Sequence, residues 1–136
     1  MAEETIELPA EPASAARARE FVRDRVRRSR HGSLEDPALL CVTELVANVS
    51  LHTDSPQCVV TVREAPEAIT IEVTDDAGQL PSMGPASSQS EHGRGLRIVD
   101  ALAREWGVRR RADRRKSVWV RLSEGSCAAG PGPTAN

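Results

Sequence analysis

The sequence predicts a two-layer α/β (α+β) sandwich, a mixed β-sheet carrying its helices on one face. Three observations carry that expectation. Two segments in the first half show apolar residues at helical spacing, four short runs alternate with period 2, and aromatic residues are almost lacking. Phe21, Trp106 and Trp119 are the only aromatics in 136 residues, so Val, Leu, Ile and Ala must build the core. A chain of this length suits one domain, with a core that needs neither disulfides nor a metal.

The elements follow in order. Thr5-Ile-Glu-Leu8 alternates like a short strand and is closed by Pro9 and Pro12. Ser14 is a candidate N-cap for a helix over Ala15–Arg28, with Ala18, Phe21, Val22 and Val26 on one side and many Arg on the other. Asp36-Pro37 supplies an acceptor at N-cap and Pro at N1 for a second helix that runs to Leu51. Cys58–Val62 and Ile69–Val73 are strands joined by a turn at Ala65-Pro66-Glu67. Asp76–Gly93 is a long polar stretch, and a loop of that length inside a compact domain is usually functional or disordered. Leu96, Val99, Leu102 and Ala103 mark a further helix. Strands are expected at Gly107–Arg111 and Ser117–Leu122. Residues 1–4 read as an N-terminal tail, 5–122 as the domain, and 123–136, rich in Gly, Pro, Ala and Ser, as a disordered C-terminal tail.

Composition removes several function classes. A formal net charge of −2 argues against a dedicated nucleic-acid or membrane-surface protein. The basic run Arg109–Lys116 falls on a turn and has no interleaved aromatics, so it reads as a solvated hairpin. The three cysteines, Cys41, Cys58 and Cys127, form no CxxC pair and no metal-ligand spacing, which suits reduced thiols in a cytoplasmic protein. No apolar run reaches membrane length, and the acidic N-terminus is unlike a signal peptide. His31 and His92 receive no assigned role, while His52 reads equally as a lid or phosphate contact or as a helix-end His favoured by the dipole.

Three segments carry chemistry. On the second helix Glu44 and Asn48 share a face, opposite Leu39, Val42, Val46 and Val49. Leu40, Cys41, Ala47 and Leu51 flank the polar pair, so the helix is apolar nearly all round and should be covered. A covered Glu and Asn need a partner or a ligand, and a carboxylate beside an amide oxygen suits hard cations and water in phosphoryl transfer. In Ile69-Thr-Ile-Glu-Val-Thr-Asp75, alternation puts Asp75 on the same face as Ile69, Ile71 and Val73, while Asp76 points away. A plain turn Asp, starting a loop with Asp76 and Gly78, is the competing reading. Finally Gly93-Arg-Gly-Leu96 opens a helix, where glycines allow close backbone approach and the helix N-terminus favours a phosphate.

Taken in this order, Leu40–Asn48, Val73–Pro81 and Gly93–Val99 resemble the histidine-kinase-like ATPase superfamily, and within it the anti-sigma-factor serine/threonine kinases. The resemblance implies a histidine-kinase-like ATP-binding fold with ATP and Mg²⁺ as cofactors. It makes Glu44 the general base or water-orienting residue, Asn48 the Mg²⁺ ligand and Asp75 the acceptor for the adenine amino group. Gly78 belongs to the strand-end motif, and Gly93, Arg94, Gly95 and Leu96 wrap the phosphates under a lid at Asp76–His92. Ser117 stands where the family has a Thr near the adenine-binding Asp. Ala77 and Gln79 replace the two glycines of the usual Asp-x-Gly-x-Gly. The implied function is sequestration of a sigma factor and phosphorylation of its anti-sigma-factor antagonist, through the helix that carries Arg19 (Arg17 the alternative). A catalytically weak nucleotide-binding module acting by sequestration alone is the second reading. A homodimer is compatible with the resemblance, direct nucleic-acid or membrane binding is not expected, and with no phosphoacceptor-His domain before Thr5 neither is a sensor kinase.

Overall fold

The computed structural model of the chain describes residues 2–52, 57–75, 97–110 and 115–124, with side chains through Val49 in the second helix. The order is β1 (Ala2–Pro9), α1 (Ser14–Arg27), a 3-10 turn at Gly32–Leu34, α2 (Glu35–His52), β2 (Gln57–Ala65), β3 (Ala68–Asp75), β4 (Glu105–Arg110) and β5 (Lys116–Leu122). Residues 97–102 are helical. The five strands form one sheet ordered β1-β2-β3-β5-β4.

Every pairing is antiparallel, so the sheet is not mixed. The reason is connectivity: β1 and β2 are joined across a helical hairpin that brings the chain back antiparallel. β2 and β3 meet through a two-residue turn, and β4 returns beside β5. β1 is longer than its alternating core, because pairing with Val62, Arg63 and Glu64 draws Ala2–Glu4 into the ladder.

Alternation sorts the sheet into two faces. Leu8, Val60, Val62, Ile69, Ile71, Val73, Val120 and Leu122 are buried under the helices. Ala18, Val22 and Val26 supply the stripe of α1, spaced by four residues. Ala38, Cys41, Val42, Leu45, Val46 and Val49 supply that of α2, at i, i+3, i+4, i+7, i+8 and i+11. Leu40 falls outside this stripe and is 49 % exposed, so α2 is not covered all round.

The helix starts differ from the sequence expectation. Ala13 caps α1 without a side-chain bond, while Ser14 Oγ donates to the Pro9 carbonyl at 2.6 Å and ties the helix to the end of β1. α2 begins at Glu35, directly after the 3-10 turn, and the Glu35 side chain is held by Arg27 through two bonds, at 2.8 and 3.1 Å.

The open sheet face is polar. Arg63 donates to Glu72 at 2.6 Å, with Arg109 at 3.9 Å from the other carboxylate oxygen. Thr74 and Ser117 hydroxyls bond at 2.8 Å, and Trp119 lies directly against Gly107 on the neighbouring strand. Burial pushes the Glu72 carboxyl upward, but the Arg63 and Ser117 hydrogen bonds and the charges of Arg63 and Arg109 outweigh it and hold it below the usual value.

Candidate functional site

The site is placed by how α2 lies along the sheet. Its N-terminal end adjoins the turn carrying His31, which contacts the Ala65 carbonyl at the end of β2 and Glu124 just past β5. Eighteen residues at a rise of about 1.5 Å then carry α2 along the sheet toward its other end. That end holds the last residue of β3, Asp75, and the first of β5, Lys116, which are register partners.

Asp75 is 2 % exposed and shares the helix-facing side with Val73 and Ile71. Its Oδ2 lies 3.6 Å from Lys116 Nζ, an ion-pair distance. Across the sheet Asp75 pairs with Cys58, whose thiol is pushed up to about 11 by burial and then by the Asp75 charge. As strand alternation predicts, the carboxylate closes the buried side of β3.

Glu44 and Asn48 are half-buried and flank the core stripe of α2 one turn apart. Burial pushes the Cys41 thiol up to about 12, with the nearby Glu44 carboxylate adding to it. The helix thus carries a carboxylate and an amide one turn apart, and the sheet end carries a buried carboxylate. These groups suit a nucleotide: acceptors for an amino group or a hydroxyl proton, and hard oxygens for a cation.

Ser117 is placed elsewhere. It is fully buried on the opposite face of the sheet, bonded to Thr74. Strand parity is the reason, since Ser117 opposes Thr74 while Lys116 opposes Asp75. Lys116 is the side chain that accompanies Asp75, and sequence reading missed it by grouping it with the basic turn. Gly78, Gly93, Arg94, Gly95 and Leu96, and the lid at 76–92, lie outside the described residues.

Arg19 is half-buried and donates to the Thr43 hydroxyl at 3.4 Å, linking α1 to α2. Arg23 and Arg27 engage Glu35, Arg25 engages Glu4 at 2.7 Å, and Arg28 engages Asp24 at 2.8 Å. Much of the arginine content of this helix is therefore held by acids of the chain itself. No helix among the described residues is long and apolar enough to cross a membrane.

The family model of the histidine kinase-like ATPase domain matches residues 8–122, and the chain belongs to that family. Membership implies ATP binding and points to ATP-dependent chemistry in general. An uncharacterized protein of Streptomyces coelicolor is 49 % identical over 45 residues, which is 32 % of this chain and 43 % of that protein. The match thus spans less than half of that relative.

Proposed function

We propose that the chain is an anti-sigma-factor-type serine/threonine kinase of the cytoplasm, which sequesters a sigma factor and phosphorylates an anti-sigma-factor antagonist. The observation that supports it best is the buried Asp75 carboxylate at the sheet end toward which α2 carries Glu44 and Asn48. In this reading Asp75 accepts the adenine amino group, and Asn48 holds Mg²⁺, which neutralises phosphate charge when bound. Glu44 accepts the proton of the acceptor hydroxyl, and positioning with electrostatics carries most of such a transfer. Gly93, Arg94, Gly95 and Leu96 take the phosphates. The partner surface is α1 around Arg19.

The test follows phosphate incorporation into a serine of the antagonist protein, beside an ATP thermal-shift titration with and without Mg²⁺. Binding to the folded form raises stability by mass action. ATP stabilisation together with transfer supports the kinase. Stabilisation without transfer leaves the second reading, a nucleotide-binding regulator acting by sequestration, which draws on Ala77 and Gln79 replacing the motif glycines.

A further inference from the structure

The Lys116 ammonium sits on the same side of the sheet as the Asp75 carboxylate, 3.6 Å from it, and its side chain is only 12 % exposed. Register fixes this arrangement, because the two residues are cross-strand partners at the end of the β3–β5 ladder. Lys116 is the only lysine of the chain. A lysine held this far out of water beside a buried acid is not a solvated surface charge. A hydrogen-bonded pocket also discriminates strongly against ligands that leave its polar groups unpaired.

Resting on the ATP-binding reading above, we propose that Lys116 is a second base-reading residue, donating to adenine N1 while Asp75 accepts from the 6-amino group. The chemistry matches on both sides. Adenine presents an adjacent donor and acceptor on its Watson–Crick edge, and the pair presents an adjacent acceptor and donor. Asp75 alone reads one position; with Lys116 the pair reads the edge and its order. The ammonium also balances the Asp75 charge before nucleotide enters.

The experiment measures binding of ATP and 1-deaza-ATP, which keeps the amino group and lacks N1, to the full chain by calorimetry. Wild type should prefer ATP by roughly 10- to 150-fold, the range of a charge-assisted hydrogen bond. In Lys116→Met that gap should close, with ATP falling to the level of the analogue. Lys116→Gln, which keeps an N–H donor, should retain part of the gap, and this rescue separates base reading from simple charge balance. Should Lys116→Met fail to fold with Asp75 uncompensated, the wild-type and Lys116→Gln comparisons still decide. Equal affinity of wild type for the two ligands, or an undiminished gap in Lys116→Met, overturns the role of Lys116 and leaves ATP binding standing. Tighter ATP binding by Lys116→Met overturns it too, making the lysine a competing counter-ion. Folded wild type that binds neither ligand removes the ATP-binding reading itself.

Discussion

His31 and Glu124, 93 residues apart in sequence, meet through a 2.8 Å contact between the imidazole Nδ1 and the carboxylate. The other ring nitrogen lies 2.8 Å from the Ala65 carbonyl oxygen, so both nitrogens face acceptors. Only the imidazolium can donate from both. Ser33 donates to the second Glu124 oxygen at 2.7 Å, so the hydroxyl serves the carboxylate and not the ring.

Burial of this ring, which is 3 % exposed, opposes its charge. The Ala65 carbonyl, the Glu124 bond and the charges of Glu124 and Glu64 outweigh that and raise the His31 value above its ordinary 6.5. A raised folded value means stability fully present below about pH 6.5 and lost as pH rises through the folded value. Melting temperature should therefore fall with pH above that point in wild type, and less in His31→Gln. Glu124→Gln should cost about 1 kcal/mol, below the usual range for charged hydrogen bonds, because the carboxylate is 39 % exposed and screened. Thermal and denaturant melts across pH 5.5–8.5 check both; superimposable profiles for wild type and His31→Gln would count against the imidazolium.

Arg63 and Glu72 give a second pH effect, of opposite sign. Glu72 is 1 % exposed and held below its usual value, so its contribution is present above about pH 4.5 and is lost as acid protonates it. Arg63→Met removes one of the hydrogen-bond partners of that carboxylate and should cost roughly 1–3 kcal/mol. Adding Glu72→Gln should return part of the loss, since the uncompensated charge goes. Chemical denaturation of the two single variants and the double at pH 7 measures the coupling.

Gly107 is constrained by Trp119. A Cβ at Gly107 would stand 2.9 Å from Cζ2 of the indole, closer than van der Waals contact allows. Gly107→Ala must displace a rigid ring across the β4–β5 pair and should destabilise by about 1–3 kcal/mol. Trp119 fluorescence, read with Trp106→Phe in both backgrounds, should shift in the variant.

Asp75→Asn should weaken ATP binding by roughly 10- to 150-fold, because an amide accepts less strongly and must turn its own donor away. A silent Asp75→Asn with a damaging Asp76→Asn would move the acceptor one residue along the chain. Glu44→Gln should keep ATP affinity and slow transfer about 10²–10⁴-fold, the usual range for general-base catalysis. Asn48→Ala should lose Mg²⁺-dependent binding and transfer together. Arg19→Glu should reduce partner capture and leave ATP binding unchanged, as read by pull-down and calorimetry. Since Arg19 also bonds Thr43, a melt must accompany that assay.

Cys41 and Cys58 should resist thiol reagents until the chain unfolds. Both are buried, and burial holds their values at about 12 and about 11, far from the thiolate a reagent needs.

The elements were legible because periodicity is local. The stripe Ala18, Val22 and Val26 and the run Ile69, Ile71, Val73 and Asp75 each declare a face from their own spacing, and those faces are the buried ones. The order of Glu44, Asn48 and Asp75 along the chain, with the glycines of Gly93–Gly95, pointed to the family that the match over residues 8–122 shows. Strand ends were less legible, since β1 gained Ala2–Glu4 from pairing with β2.

Local spacing was enough to set which residues of α1 and β3 face the core, that Asp75 ends a strand on that side, and which fold family the motifs belong to; on α2 it missed Ala38, Cys41 and Leu45. Tertiary structure alone decided that the sheet is antiparallel throughout and that Lys116, not Ser117, stands beside Asp75. It also decided that His31 is clamped by Glu124, and that many arginines of α1 are spent on acids within the chain. The division has one physical cause. Spacing along a strand or helix sets a residue's face, whereas its partner depends on register between segments far apart in sequence, which only the packed fold fixes.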